Sequence, residues 1–221
     1  RMEEVIQHGG LFALAMPRKG GKTTICEHAC LWAVMTGRHA FLMLVAVSAT
    51  RAEEILVSLK TELLTNDFLF ADWPEICHPI RALEDRANRS KGHRIGEHPT
   101  YIGLRKTEII LPTVAGSVAS GAIIRVAGIT SGSVRGPKYV RPADGKNVRP
   151  SLAILDDPQD DSSANSPYQC NVRHRLIHGA VLGMSGPGKK IAVVCPCTVI
   201  AKGDLADRLL TVLVPVLGFV A

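Results

Sequence analysis

The sequence predicts a three-layer α/β fold, with helices on a mainly parallel central sheet, from three observations. Short apolar runs bounded by turn residues alternate with stretches of helical periodicity. The runs are continuous, as strands buried on both faces require. At 221 residues, 46% apolar and 21% charged, the chain can form one such domain with a full core.

Along the chain, Leu11–Met16 reads as a strand and Lys22–Thr36 as a helix ended by Gly37. His39–Val47 is a second strand. Ser48 or Thr50 caps a helix running to about Leu64, with Glu53 and Glu54 in its first turn and Ile55, Leu56, Leu59 and Leu63 on one face. Asn66–Pro79 reads as irregular. Arg81–Lys106 sets seven basic residues (Arg81, Arg86, Arg89, Lys91, Arg94, Arg105, Lys106) against Glu84, Asp85 and Glu97. It reads either as a mobile solvated loop or as a DNA-backbone contact. Glu108–Leu111 and Ala122–Ala127 suggest a hairpin through Gly116–Gly121. Gly128–Pro150 is a connector rich in Gly, Pro, Arg and Lys. Ser151–Asp157 is a strand, Pro167–Leu182 a helix, Lys190–Cys195 a strand and Asp204–Leu210 a helix.

Composition excludes a disordered chain, and no apolar run, Phe41–Ala49 included, reaches membrane-spanning length. Leu209–Ala221 carries Pro215 and Gly218 and reads as a strand or a truncated core element. No signal peptide is legible. The chain opens on Arg1 and stops within an apolar segment, so a fragment of a longer protein is expected. A net charge of +6 permits nucleic-acid contact without requiring it. No cysteine pair has zinc-knuckle spacing; Cys26 and Cys30 are expected in the core, and a reduced, cytosolic protein is the simplest reading. Cys170, His174 and His178 recur at i, i+4 and i+8, as metal ligands on one helix face or as a partly exposed polar face.

Three segments carry chemistry. Pro17-Arg18-Lys19-Gly20-Gly21-Lys22-Thr23-Thr24 joins the first strand to the first helix. Such a turn forms a phosphate site, because backbone N–H groups and the helix dipole converge on the anion. Lys22 would reach the β- and γ-phosphates of a nucleotide, and the Thr23 hydroxyl would ligate Mg²⁺. The glycine that usually opens such a loop is absent; Met16 holds its position. Second, the strand ending at Asp156-Asp157 puts two carboxylates at a carboxyl end, where open α/β sheets carry their sites. Asp156 would hold the Mg²⁺ shell, and Asp157 would orient or deprotonate the attacking water. Third, Ile191–Thr198 ends a strand with a hydroxyl. If this strand lies between the other two, Thr198 reaches the γ-phosphate region and couples hydrolysis to movement of the chain beyond it.

In this order the segments resemble the large subunit of viral DNA-packaging terminases, those of tailed bacteriophages. That family's phosphate loop lacks the first glycine and often carries an arginine where Arg18 stands. Gly132-Ser133-Val134-Arg135-Gly136, followed by Arg149–Asp157, resembles the approach to its Walker B strand. Cys197-Thr198, then Gly203-Asp204-Leu205 and Arg208-Leu209-Leu210, resembles its coupling motif. The resemblance runs from about Leu11 to Leu210. It departs at Asp157, where glutamate is common, and at Cys197, where glycine is usual.

The resemblance implies a P-loop NTPase of the RecA-like, additional-strand (ASCE) type: a Mg²⁺-dependent ATPase motor driving double-stranded DNA into a procapsid. The expected partners are double-stranded DNA, a portal protein, a small terminase subunit and further copies of the chain in a ring, in the host cytoplasm. Arg18 either stabilises charge on the transferring phosphoryl or only binds product or faces solvent. Arg135 is a second candidate, across a subunit interface, or else a loop-stabilising ion pair. No acidic cluster follows Leu210, so the family's nuclease domain is not expected in this chain. The residues alone also fit a helicase-type translocase, a small-molecule P-loop kinase with Arg81–Lys106 as its lid, or a non-hydrolysing scaffold.

Overall fold

The computed structural model describes residues 1–84, 92–141, 144–186 and 188–213. Asp85, Arg86, Arg89 and Lys91 of the basic stretch, and residues 214–221, lie outside the described residues.

Seven strands form one sheet: β1 (Gly10–Ala15), β2 (Phe41–Ala46), β5 (Gly103–Leu104), β6 (Glu108–Ile110), β7 (Ile123–Gly128), β10 (Leu152–Asp156) and β11 (Ala192–Cys197). Their order is β1-β11-β10-β2-β7-β6-β5. The first five run parallel, and β6 and β5 close one edge antiparallel. Two two-residue-per-strand hairpins stand apart, β3 (Arg94–Ile95) with β4 (His98–Pro99) and β8 (Tyr139–Val140) with β9 (Asn147–Val148).

Side chains alternate across the central strands and build two cores. Leu42, Leu44, Ile154 and Val194 pack with helices α1 (Met2–His8), α2 (Lys22–Met35), α3 (Ala49–Thr65) and α5 (Pro74–Arg81). Met43, Val45, Leu155 and Val193 pack with the opposite layer, α8 (Leu205–Leu213) and the turn that prolongs α7 (Pro167–Leu176). This is the predicted α/β arrangement with a mainly parallel sheet. Cys26 and Cys30 are buried in the first core.

Local chemistry sets the boundaries. Gly37 ends α2 at φ 69°, and a Cβ there would meet Val118 Cβ at 2.7 Å, so both conformation and space demand glycine. Ser48 caps α3 by accepting the Arg51 N–H at 3.1 Å. Because α3 starts at Ala49, Glu53 and Glu54 fall in its second turn, not its first.

The segment 66–79 is not irregular. Asn66 accepts from the Phe68 and Leu69 N–H groups and starts α4 (Asp67–Asp72), and Pro74 opens α5. Part of the polar stretch is also ordered, into β3, β4 and β5. Among the described residues no helix is long and apolar enough to cross a membrane.

Candidate functional site

The carboxyl ends of β1, β11 and β10 meet at an open cleft of about 630 Å³. Its floor is the loop between β1 and α2. Lys19 (φ 65°) and Gly21 (φ 80°) both adopt left-handed backbone there, and the Gly20 N–H returns to the Pro17 carbonyl at 3.1 Å. This winding starts α2 with no side-chain cap. α1 and α5 also lack one, α5 opening on Pro74, whereas α3, α4, α7 and the short α6 (Asp161–Ala164) are capped by Ser48, Asn66, Ser166 and Asp160. The first intrahelical bond of α2 is Ile25 N–H to Gly21 O, at 2.9 Å. The bare donors before it can take an anion.

Lys22 is 7% exposed. Its ammonium donates to the Pro17 carbonyl at 3.1 Å and lies 3.5 Å from Asp157 Oδ2. The Thr23 hydroxyl donates to Asp156 Oδ2 at 3.0 Å, Arg51 Nη2 reaches Thr23 Oγ1 at 3.4 Å, and the Cys26 thiol lies 3.6 Å from Asp156 Oδ1. Burial raises the Asp156 pKa, against the opposing pull of the Thr23 and Cys26 hydrogen bonds and the Arg51 charge. Burial, then the Asp156 charge, also pushes up the Cys26 thiol, which stays protonated and donates.

Asp157 follows β10 at φ 45°, a conformation rare outside glycine. Its carboxylate holds this position through the neighbouring strand: Oδ1 accepts the Thr198 N–H at 3.0 Å and Oδ2 the Thr198 hydroxyl at 3.2 Å. β11 does lie between β1 and β10, as the placement of Thr198 requires.

The structure thus brings Lys22, Thr23, Asp156, Asp157 and Thr198 together, with Arg18, Lys19, Gly21 and Thr24 also lining the cleft. Arg18 pairs with Asp161 across the opening. Arg135 is exposed, does not line this cleft, and makes no ion pair among the described residues. Cys170 turns inward onto the Ser163 and Ala164 carbonyls, away from the His174 and His178 rings, which lie 4.4 Å apart and tilted at 39°. Among the described residues no three His, Cys, Asp or Glu side chains form a metal cluster.

Sequence reasoning misses Gln159. Buried beneath the cleft, it donates to the Thr198 carbonyl and to Asp204 Oδ2, both at 2.8 Å, and accepts the Leu205 N–H at 3.0 Å. Asp204 in turn accepts the Ile200, Ala201 and Asp207 N–H groups. Burial opposes its charge, but these backbone donors and Gln159 hold its pKa below the ordinary value. Gln159 therefore ties the loop after Asp157 to the start of α8. No local pattern marks it, because its partners come from a distant strand and helix.

No protein-family model matches the chain, and no curated protein matches it. The case for function rests on this cleft.

Proposed function

We propose that the cleft binds and hydrolyses a nucleoside triphosphate, ATP by resemblance, on a P-loop fold of the ASCE type. One observation carries the reading. A parallel strand, β11, lies between the loop strand β1 and the carboxylate strand β10, and fixes Asp157 through Thr198 beside Lys22.

The uncapped N–H groups of α2 and the Lys22 ammonium bind the phosphates. The Thr23 hydroxyl and the Asp156 carboxylate, 3.0 Å apart, are the hard oxygen donors that suit Mg²⁺ delivered with a triphosphate. When bound, Mg²⁺ neutralises charge on the phosphate oxygens. Asp157 orients a water and accepts its proton as the water oxygen bonds to the terminal phosphorus and the bridging oxygen leaves. Arg18 exchanges Asp161 for phosphate oxygen when it supports the transferring group. Thr198, Gln159 and Asp204 pass the state of Asp157 to α8.

By its resemblance to terminase large subunits, the domain is a packaging motor that moves double-stranded DNA, as a ring on a portal, with a small terminase subunit, in the host cytoplasm. The test is Mg²⁺-dependent ATP hydrolysis with and without double-stranded DNA. The expected result is DNA-stimulated turnover that falls about 10²- to 10³-fold in Lys22→Ala. Equal turnover in that variant overturns the site assignment; turnover indifferent to DNA overturns the motor.

A further inference from the structure

The outward face of α7 lines a second groove, of about 640 Å³, with Arg135, Tyr168, Val172, Arg175, Leu176 and Gly179 in its walls. Among the described residues it shares none with the Lys22 cleft. Tyr168, Val172, Arg175 and Gly179 recur at helical spacing, while Cys170, Arg173 and Ile177 on the other face are buried.

Three features point to a ligand that is both aromatic and anionic. The Tyr168 side chain is 69% exposed, an open platform for a planar ring. Arg135 and Arg175 reach the groove with no carboxylate partner among the described residues. Both segments that supply them are acid-free: no Asp or Glu occurs between Glu108 and Asp144, or between Asp161 and Asp204. Past Leu176 the helix widens into one π-helical turn, Ile177–Val181, with the Leu182 N–H on the Ile177 carbonyl at 3.1 Å. Such turns concentrate at functional sites. Here the turn carries Gly179, beside whose Cβ position no described atom beyond its own stretch of helix lies within 4 Å, so the groove stays open.

We propose that this groove binds a nucleotide unit, its base stacked on Tyr168 and its phosphate between Arg135 and Arg175. Sequence-tolerant strand binding combines aromatic stacking with backbone-tracking cations in this way. A single strand or a free mononucleotide offers the same chemistry. The proposal stands independently of hydrolysis at the Lys22 cleft.

The test is fluorescence anisotropy of a labelled oligothymidylate of about ten nucleotides, on the Lys22→Ala chain without Mg²⁺ or ATP. Tyr168→Ala is expected to weaken binding roughly 5- to 150-fold and Tyr168→Phe to retain it. Arg175→Ala is expected to reduce the slope of log K against log salt by about 0.7. Tyr168 is exposed, so matched thermal unfolding checks that the variants fold. Competition by thymidine monophosphate assigns the groove to free nucleotides; failure to compete assigns it to a strand, and either supports the shared chemistry. Unchanged binding in Tyr168→Ala overturns the proposal, as does binding that Lys22→Ala abolishes.

Discussion

Two clusters of buried charge among the described residues, one around Glu108 and one around Lys22, are finished differently. At the antiparallel edge, the Glu108 carboxylate takes Arg105 Nη1 at 2.8 Å and Arg125 Nε and Nη2 at 2.9 and 2.7 Å. Arg125 also lies over the Phe41 ring. Every demand there is met from within the chain. At the cleft, Lys22 has one carbonyl and a carboxylate at 3.5 Å, the N-terminus of α2 is uncapped, and Asp157 is held at φ 45°. A satisfied cluster reads as structure, whereas an unfinished and strained one reads as a place prepared for a ligand.

The contrast can be broken by mutation. The largest effect is expected for Asp157→Asn, which keeps the shape but removes the proposed base: hydrolysis should fall about 10²- to 10⁴-fold with little change in thermal unfolding. Glu108→Ala should do the reverse. It takes the carboxylate from the largely buried Arg125, while the exposed Arg105 keeps solvent and the Tyr101 hydroxyl, and should cost about 2 kcal/mol in denaturant unfolding, with kcat unchanged below the transition. A loss of kcat there would dissolve the distinction between the two clusters. Ser48→Ala should cost about 1 kcal/mol, since that helix end relies on its own chain.

The smallest effect concerns His39, buried between the Ile6 carbonyl and the Ser151 hydroxyl, both at 2.7 Å. Burial lowers its pKa below 6.5. The unfolded chain then binds a proton first, so this stability is present above about pH 6.5 and is lost as pH falls from there through the lowered folded value. Unfolding midpoints measured from about pH 7.5 down to about pH 5 should decline, and His39→Gln should flatten part of the slope. His174, lowered mainly by burial, supplies another part.

Much of the site is legible in the sequence because its parts are local: a loop between a strand and a helix, two carboxylates at a strand end, a hydroxyl after another. What joins them is not local. Arg51 reaches Thr23 only because the strand before α3 lies beside β10, and Gln159 gains its partners from residues about 40 positions downstream. Likewise α4 and α5 escape notice because each is short, although Asn66 and Pro74 carry their start signals. The burial of β2 is plain from its continuous apolar run; its place in the strand order is not.

The most direct test of the central claim is an NMR titration of the backbone amides with a non-hydrolysable ATP analogue and Mg²⁺. The account predicts saturable shifts in Gly20–Thr24 and at Thr198, lost in Lys22→Ala. No shift in the loop at saturating analogue, or shifts confined to other faces, would contradict it.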